Sequence, residues 1–154
     1  MEIRPMVERD IAAVLPIEAQ AYPFPWSKGI FEDCLRVGYS CWVAERGDAV
    51  IGYGILSAGG GEAHVLNLCM AEAYRGLGHG LALLNRLINV GRWHHCRTIF
   101  LEVRPSNTRA IAVYEERGFS VVGRRPNYYP AAQGREDALI MAMKLVSGSL
   151  GQES

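Results

Sequence analysis

The segment Glu62-Ala-His-Val-Leu-Asn-Leu-Cys-Met70, followed by Tyr74-Arg-Gly-Leu-Gly-His-Gly-Leu81, carries the pattern that decides the fold. The first run has the length and apolar content of a β-strand, and the second places three glycines before leucines at helical spacing. We therefore predict a strand, a glycine-rich loop and a helix over about residues 78–93. A strand pattern follows at residues 98–103, and a helix that joins two strands in this way favours parallel pairing with a right-handed connection.

The rest of the chain surrounds this unit with antiparallel elements. Upstream, the predicted elements are a strand at 3–6, a helix at 10–21, a helix after the Ser27 cap to about 37, and strands at 40–46 and 49–56. Downstream they are a helix at 107–117 that ends at Gly118, a strand at 119–122 that extends toward 128, and a buried apolar strand at 138–146. Pro16 is expected to kink or shorten the first helix, for which Asp10 is a candidate cap. The order β-αα-βββ-α-β-α-ββ predicts a mixed α/β sheet with helices on its faces.

Length and charge narrow the classes of function. A chain of 154 residues predicts one domain, which we expect to span residues 1–146 before a polar, fraying tail at 147–154. Sixteen Lys and Arg balance sixteen Asp and Glu, which argues against a nucleic acid or an acidic membrane as the partner. No apolar run approaches the length of about 20 residues that spans a membrane, and no signal sequence is evident, so we expect a cytoplasmic protein.

The cysteines and histidines do not have the spacing of metal ligands. Cys34, Cys41, Cys69 and Cys96 are scattered without a Cys-x-x-Cys pair, and the four histidines form no zinc-binding pattern. We expect reduced, mostly buried thiols and no metal.

The glycine-rich loop has the composition of a phosphate-binding site. Glycines let a ligand approach the backbone closely, and the free N–H groups at a helix N-terminus attract anions. The loop lacks the Gly-Lys-Ser/Thr end of a Walker A motif and the glycine spacing of a Rossmann fold. A ligand-free glycine connection remains the alternative.

Two further features carry chemistry. Glu102 interrupts an apolar strand, where an ionised carboxylate needs a cation, a cleft or a raised pKa; an ion pair with Arg104 or Arg97 is the structural alternative to catalysis. Asn107 and Tyr114 are two helical turns apart and share a face, although alone they would be a helix cap and a core tyrosine.

Together these segments resemble a known family. Arg75-Gly-Leu-Gly-His-Gly80 matches the Arg/Gln-x-x-Gly-x-Gly/Ala signature of the GCN5-related N-acetyltransferase (GNAT) superfamily, with His79 where that family commonly has Ile or Leu. Residues 101–107 and 110–119 resemble its ribosomal-protein-alanine N-acetyltransferase (RimI) branch, as do Phe24-Pro-Trp-Ser27, Asn67-Leu-Cys-Met70 and the stretches at 127–130 and 134–138. The resemblance covers about residues 3–145. It implies a mostly antiparallel sheet with a central parallel pair and helices on both faces.

The resemblance also implies a reaction and a set of residues. The cosubstrate would be acetyl-CoA, with no metal and no acyl-enzyme. Glu102 would be the general base, directly or through a water, and Tyr114 the general acid. A bulge would open the sheet beside residues 68–70, and one of those amides would polarise the thioester carbonyl. The residues implied to bind acetyl-CoA are Leu68, Cys69, Met70, Gly76, Leu77, Gly78, His79, Gly80, Leu81 and Asn107.

The acceptor implied by the resemblance is the N-terminal alanine of a small-subunit ribosomal protein, flanked by Trp26, Tyr128 and Tyr129. Three alternatives remain at this stage. The enzyme could act on a lysine side chain or small-molecule amine, the chain could be a non-catalytic CoA-binding regulatory subunit, or Cys69 could be a nucleophile. The joint presence of Glu102 and Tyr114 argues against a mere sensor. Oligomeric state does not follow from the sequence.

Overall fold

The computed structural model describes residues 1–131 and 134–145. Its helices are α1 (Ile11–Ala21), α2 (Lys28–Arg36), α3 (His79–Trp93) and α4 (Thr108–Arg117). Its strands are β1 (Glu2–Pro5), β2 (Ser40–Arg46), β3 (Ala49–Gly59), β4 (Glu62–Met70), β5 (Thr98–Val103), β6 (Ser120–Pro130) and β7 (Arg135–Lys144). The predicted order of elements is confirmed. The tail at 147–154 and the last residue of the predicted final strand lie outside the described residues.

The seven strands form one sheet in the order β1-β2-β3-β4-β5-β7-β6. Among the described strands, only β4 and β5 are parallel neighbours, joined by the α3 crossover, while the other neighbouring pairs are antiparallel. The predicted mixed sheet with a central parallel pair is therefore confirmed. The second crossover, through α4, does not make β5 and β6 neighbours, because β7 returns between them.

Hydrophobic clusters cover both faces of the sheet. On one face, α3 packs on β3 and β4 and buries Leu84, Leu87 and Ile88 in a cluster that continues to β5 and β7, and α4 adds half-buried side chains such as Ile111. On the other face, α1 and α2 bury Val14 and Phe31 against β2 and β3. This arrangement gives each amphipathic helix an apolar surface to cover, as layered packing requires.

The predicted side-chain cap is present at α2 and absent at α1. The Ser27 hydroxyl oxygen accepts a hydrogen bond from the Ile30 amide (3.3 Å), so Ser27 caps α2 as predicted. The Asp10 carboxylate instead binds the Arg4 guanidinium at 2.8 and 2.9 Å, and it also accepts from the Val7 amide. Pro16 lies inside α1 without ending it, so of the two expected effects, a kink or a shortening, the shortening does not occur.

The last two strands differ from prediction in length and burial. β6 runs to Pro130, two residues past the predicted extension toward 128, because its pairing with β7 resumes at Tyr129 after an irregular stretch. β7 begins at Arg135 and is mostly half-buried, not buried throughout; within it only Ala138 and Met141 are fully buried. β7 lies inside the sheet between β5 and β6, which accounts for its apolar sequence. The two faces of the sheet are only partly covered at β7, so most of its side chains are half-buried.

The cysteine prediction is confirmed, since all four thiols are free and buried. Among the described helices, none is long and apolar enough to cross a membrane. Within the same residues, no three His, Cys, Asp or Glu side chains gather where they could hold a metal ion.

Candidate active site

The centre of the sheet opens where β4 and β5 part. Their parallel pairing ends at Val65 and Leu101. The register between β3 and β4 shifts at the same level, with Leu66 as the extra residue of a bulge. From there to Met70, β4 is paired with β3 on one edge only. Because alternate residues of an antiparallel strand turn their backbone groups to opposite edges, this segment presents polar groups to the gap.

The glycine-rich loop lies at the end of this open edge. Gly76 and Gly78 have φ angles of +76° and +86°, a region that L-residues with side chains rarely adopt. Gly78 occupies the N-cap position of α3 without a side-chain cap, and the first helical hydrogen bond is from the Ala82 amide to the Gly78 carbonyl (3.2 Å). The amides of residues 79–81 therefore have no partner within the helix.

Arg75 connects the loop to the strand, since its Nε donates to the Met70 carbonyl oxygen at 3.0 Å. His79, the departure from the family pattern, begins α3 and packs near the Tyr74 ring with 6.0 Å between centroids. Leu77 is 63% exposed, so the outer side of the loop is open to a ligand. Free amides, positive φ angles and an open strand edge fit a ligand with a diphosphate and an extended amide-containing arm.

A cavity of about 560 Å³ lies at the other end of the gap. Glu102 lies in its wall together with Trp26, Tyr128 and Tyr129, all three of which are predicted to contact the acceptor. These residues come from β5, the loop between α1 and α2, and the end of β6. The structure thus brings one candidate catalytic group and the three candidate acceptor contacts into a single cavity.

Glu102 forms an ion pair, but with a different residue from those expected. The Arg125 Nη2 atom lies 2.8 Å from the carboxylate, and the two side chains are 55% and 26% exposed, respectively. Arg104 binds Glu136 at 3.1 Å instead. The expected pairing with Arg104 or Arg97 is wrong because the partner comes from β6, two strands away from β5.

Aromatic rings stack with arginines around this carboxylate. The Arg125 guanidinium lies 5.0 Å from the centre of the Tyr128 ring, and the Arg104 guanidinium lies 4.5 Å from the centre of the Tyr129 ring. Burial, and then the negative charge of Glu102, raise the pKa of both tyrosine hydroxyls. Both phenols therefore remain neutral and can donate hydrogen bonds at physiological pH.

Tyr114 and Asn107 lie outside the residues that line the cavity. Burial, and then the proximity of Cys69, raise the pKa of Tyr114 to about 12. Tyr114 and Leu68, which belongs to the open segment of β4, pack against the same hydrophobic cluster. The Asn107 side-chain oxygen accepts from the Ala110 amide at 3.3 Å, which makes Asn107 the N-cap of α4.

Cys69 lacks the environment of a nucleophile. It is 7% exposed, and burial is the main cause of the raised pKa of its thiol. A reactive cysteine needs a lowered pKa and access to solvent or substrate. The ping-pong alternative therefore loses its physical basis.

Sequence reasoning missed three side chains of this region. Arg125 pairs with Glu102, Tyr22 donates from its hydroxyl to the Leu68 carbonyl oxygen at 3.4 Å, and Glu18 is a buried carboxylate beside the same strand. A charged residue at a buried position of an apolar helix face was the available signal for Glu18. Arg125 and Tyr22 had no such signal, because their partners are remote in sequence.

Comparison with known proteins gives consistent results. Residues 11–119 match the acetyltransferase (GNAT) family. The chain is 37% identical over 136 residues to the [ribosomal protein bS18]-alanine N-acetyltransferase of Escherichia coli K12, covering 88% of this chain and 92% of that protein. The crystal structure of the Escherichia coli ribosomal-protein-S18-alanine N-acetyltransferase superposes with a TM-score of 0.87 at 35% identity, covering 94% of this chain and 93% of that one. A putative acetyltransferase from Salmonella typhimurium, solved with its cofactor acetyl-CoA, shares the fold with a TM-score of 0.81 at 21% identity, over 100% of this chain and 99% of that one.

Proposed function

Because the chain belongs to the acetyltransferase (GNAT) family, we propose that it acetylates the α-amino group of a protein N-terminus, and that its acceptor is the N-terminal alanine of a small-subunit ribosomal protein. It is an acetyl-CoA-dependent N-acetyltransferase. The observation that carries the choice of acceptor is the 37% identity, over 88% of the chain, to an enzyme named for that alanine. Because such an acceptor is made on ribosomes, we also propose that the reaction takes place in the cytoplasm.

The residues for acetyl-CoA are those of the open strand edge and the glycine-rich loop. Gly76, Gly78 and the amides of residues 79–81 would hold the diphosphate, since backbone N–H groups at a helix N-terminus favour negative charge. One backbone amide within residues 68–70 would bind the thioester carbonyl oxygen, as an oxyanion-hole donor does. When bound, acetyl-CoA supplies an acetyl thioester whose carbonyl carbon accepts the amine. Asn107, whose side-chain oxygen caps α4, is also proposed to contact coenzyme A.

Glu102 is the proposed base. A protein α-amino group has a pKa of about 7.7–8.0, so much of it is protonated and not nucleophilic at neutral pH. The Glu102 carboxylate would receive that proton inside the cavity. Arg125 is paired with this carboxylate before the acceptor binds. An exposed ion pair of this kind contributes only about 0–1 kcal/mol, so an acceptor ammonium can displace Arg125 from Glu102.

Tyr114 is the proposed acid. Its hydroxyl holds its proton far above neutral pH, because burial raises its pKa to about 12. A proton held beside the open segment of β4 is available to a departing thiolate, whose conjugate acid has a pKa of about 8.5 as an ordinary thiol. Trp26, Tyr128 and Tyr129 would contact the acceptor chain on either side of its amine.

The experiment is a release assay for coenzyme A with matched peptides. One peptide begins with a free alanine, a second differs only in its first two residues, and a third has a blocked N-terminus and one free lysine. Mass spectrometry locates the acetyl group. We expect acetylation of the free alanine peptide at its α-nitrogen. Equal reaction of the blocked lysine peptide would favour a side-chain acetyltransferase, and no reaction with any peptide would contradict the proposal.

A further inference from the structure

Glu18 is a buried carboxylate that the reaction described above does not use. Its residue is 2% exposed, and it lies on the face of α1 that packs against the sheet. A carboxylate at such a depth is costly unless hydrogen bonds replace its water. The structure supplies three donors, and each comes from a different segment of the chain.

The two carboxylate oxygens have separate partners. Oε1 accepts from the Tyr53 hydroxyl on β3 and from the Asn67 side-chain amide on β4, the latter at 2.9 Å. Oε2 accepts from the Trp26 backbone amide at 2.9 Å. One oxygen is therefore bound to the sheet, and the other is bound to the loop between α1 and α2.

The loop that Glu18 binds has few backbone hydrogen bonds, although the Trp26 ring also packs against the Phe31 ring with 5.3 Å between centroids. In Tyr22-Pro-Phe-Pro-Trp26, Pro23 and Pro25 have no N–H group to donate. The Tyr22 amide donates to the Glu18 backbone carbonyl at 3.1 Å, and the Trp26 amide donates to the Glu18 side chain. Glu18 thus binds both ends of the loop that contributes Trp26 to the cavity.

The sheet side of the same carboxylate leads to the open strand edge. Asn67 directly precedes the segment at 68–70, and the Tyr22 hydroxyl donates to the Leu68 carbonyl oxygen. A displacement of the loop relative to β4 would therefore change the distance between the acceptor wall and the strand edge. Such a displacement would weaken the contact between Trp26 and an acceptor chain, which would raise the KM for that chain.

We propose that Glu18 is a positioning residue for the acceptor, which acts by holding the Trp26 loop against β4 through its Oε2 atom. This inference rests on the proposed function, because it assumes that Trp26 contacts the acceptor. Glu18 touches neither substrate; it sets the position of a group that does.

The test compares Glu18→Gln with Tyr53→Phe. A glutamine keeps one oxygen for Tyr53 and Asn67 but presents its NH2 group to the Trp26 amide, where two donors face each other. Tyr53→Phe removes a hydrogen bond from the same cluster and leaves the Trp26 bond in place. For Glu18→Gln we expect the KM for the alanine peptide to rise by about tenfold, the scale of one lost hydrogen bond. The kcat at saturating peptide and the Kd for acetyl-CoA, measured by calorimetry, should change far less.

The control separates positioning from general destabilisation. Both variants should lower the melting temperature, but Tyr53→Phe should leave the KM for the peptide unchanged. A KM increase of equal size in both variants, or a parallel loss of acetyl-CoA affinity in Glu18→Gln, would overturn the proposal.

If Glu18→Gln does not fold, hydrogen exchange of the wild-type chain tests whether Glu18 holds the Trp26 loop in place. The Trp26 amide should exchange more slowly than that of Phe24, its neighbour in the loop, and binding of the peptide should slow it further. Rapid exchange of the Trp26 amide would overturn the proposal. A wild-type enzyme that prefers the lysine peptide would contradict the proposed function alone, and the same KM comparison would then be made with that acceptor.

Discussion

At the scale of single residues, the Glu102–Arg125 pair joins a fixed carboxylate to an exposed cation. Glu102 lies on β5, paired with Ile140 of β7, whereas the Arg125 guanidinium lies over the Tyr128 ring at the surface. Arg125 can therefore leave the carboxylate without disturbing the sheet. In the proposed mechanism, the charge of this carboxylate is neutralised by Arg125 before the acceptor arrives and becomes available when a competing ammonium enters.

Glu102→Gln tests the base. The substitution keeps the size of the side chain and removes its ability to take a proton, and general base catalysis contributes about 10²–10⁴-fold to a rate. We expect kcat at pH 7 to fall by well over about tenfold while the Kd for acetyl-CoA is retained, as measured by coenzyme A release and calorimetry.

The matched control is Glu45→Gln. Glu45 also pairs with an arginine, Arg4, at 3.2 Å and is 23% exposed, close to the 26% of Glu102, but it lies on β2, away from the cavity. Glu45→Gln should leave kcat unchanged. An equal rate for Glu102→Gln and the wild-type enzyme would exclude Glu102 as the base.

Tyr114→Phe tests the acid. The variant keeps the ring, which packs 6.0 Å from the Phe119 ring, and removes only the hydroxyl. We expect kcat to fall by at least about tenfold across pH 7–9, because a phenol whose pKa is raised remains protonated over that range. Single-turnover acetylation of the alanine peptide measures the loss. A wild-type rate at pH 7 would mean that the departing thiolate needs no donor from this residue.

At the scale of elements, the N-terminus of α3 depends on glycine for its geometry. Gly78→Ala places a methyl group at φ +86°, where it meets no atom within 4 Å, so its cost is backbone strain of about 1–2 kcal/mol and not a clash. Relief of that strain would rotate the amides that precede Ala82. We expect the Kd for acetyl-CoA to rise several-fold, measured by calorimetry.

Gly47→Ala is the control for this strain. Gly47 has φ +61° and equally open surroundings, but it lies in the turn between β2 and β3. Both variants should lower the melting temperature by a similar amount, about 2–4 °C per kcal/mol for a domain of this size. If Gly47→Ala also weakened acetyl-CoA binding, backbone strain anywhere in the fold would be sufficient to raise that Kd, and the geometry at the start of α3 would not be its cause.

The elements predicted best from the sequence are those whose bounds are set by residues close to them in the chain. Ser27 and Asn107 cap their helices through amides three residues away, and Gly118 adopts φ +122° where a left-handed residue was predicted. β4 and β5 have the predicted bounds, because strand propensity and turn residues act over short distances. Pro16 shows the limit of such a rule, since tertiary packing of α1 overrides a strong local preference.

What could not be predicted depends on pairing between distant segments. No local pattern says that β7 enters between β5 and β6, where Ile140 is the partner of both Glu102 and Gly123. That insertion brings Arg125 to Glu102, whereas spacing along the chain favours Arg104 and Arg97. The Glu18 cluster was missed for the same reason, because its Tyr53 and Asn67 donors lie 35 and 49 residues away.

At the scale of the whole molecule, tyrosine side chains from both faces of the sheet have their hydroxyls removed from water. Tyr22 and Tyr53 belong to the face covered by α1 and α2, and Tyr114 belongs to the face covered by α3 and α4. Burial is the largest cause of the raised pKa of all three hydroxyls, and Cys69 is the second. The family resemblance, confirmed by the comparisons, extends across 94% of the chain.

This distribution predicts a loss of stability at alkaline pH. A folded-state pKa above the unfolded value means that the native protein holds its proton longer, so the stabilisation is complete below the unfolded pKa and is lost as pH rises. For Tyr114 the window runs from 10.0 to about 12, and for Cys41, whose thiol is also buried, from 9.0 to about 12. We expect the free energy of unfolding to be flat from pH 7 to 9 and then to fall, by about 2–3 kcal/mol for Tyr114 alone by pH 12.

Urea denaturation at each pH measures the fall, and absorbance at 295 nm reports ionisation of tyrosine. Tyr114→Phe should make the decline above pH 10 shallower; a stability that stays constant to pH 12 would mean that these phenols ionise without opposition from the fold.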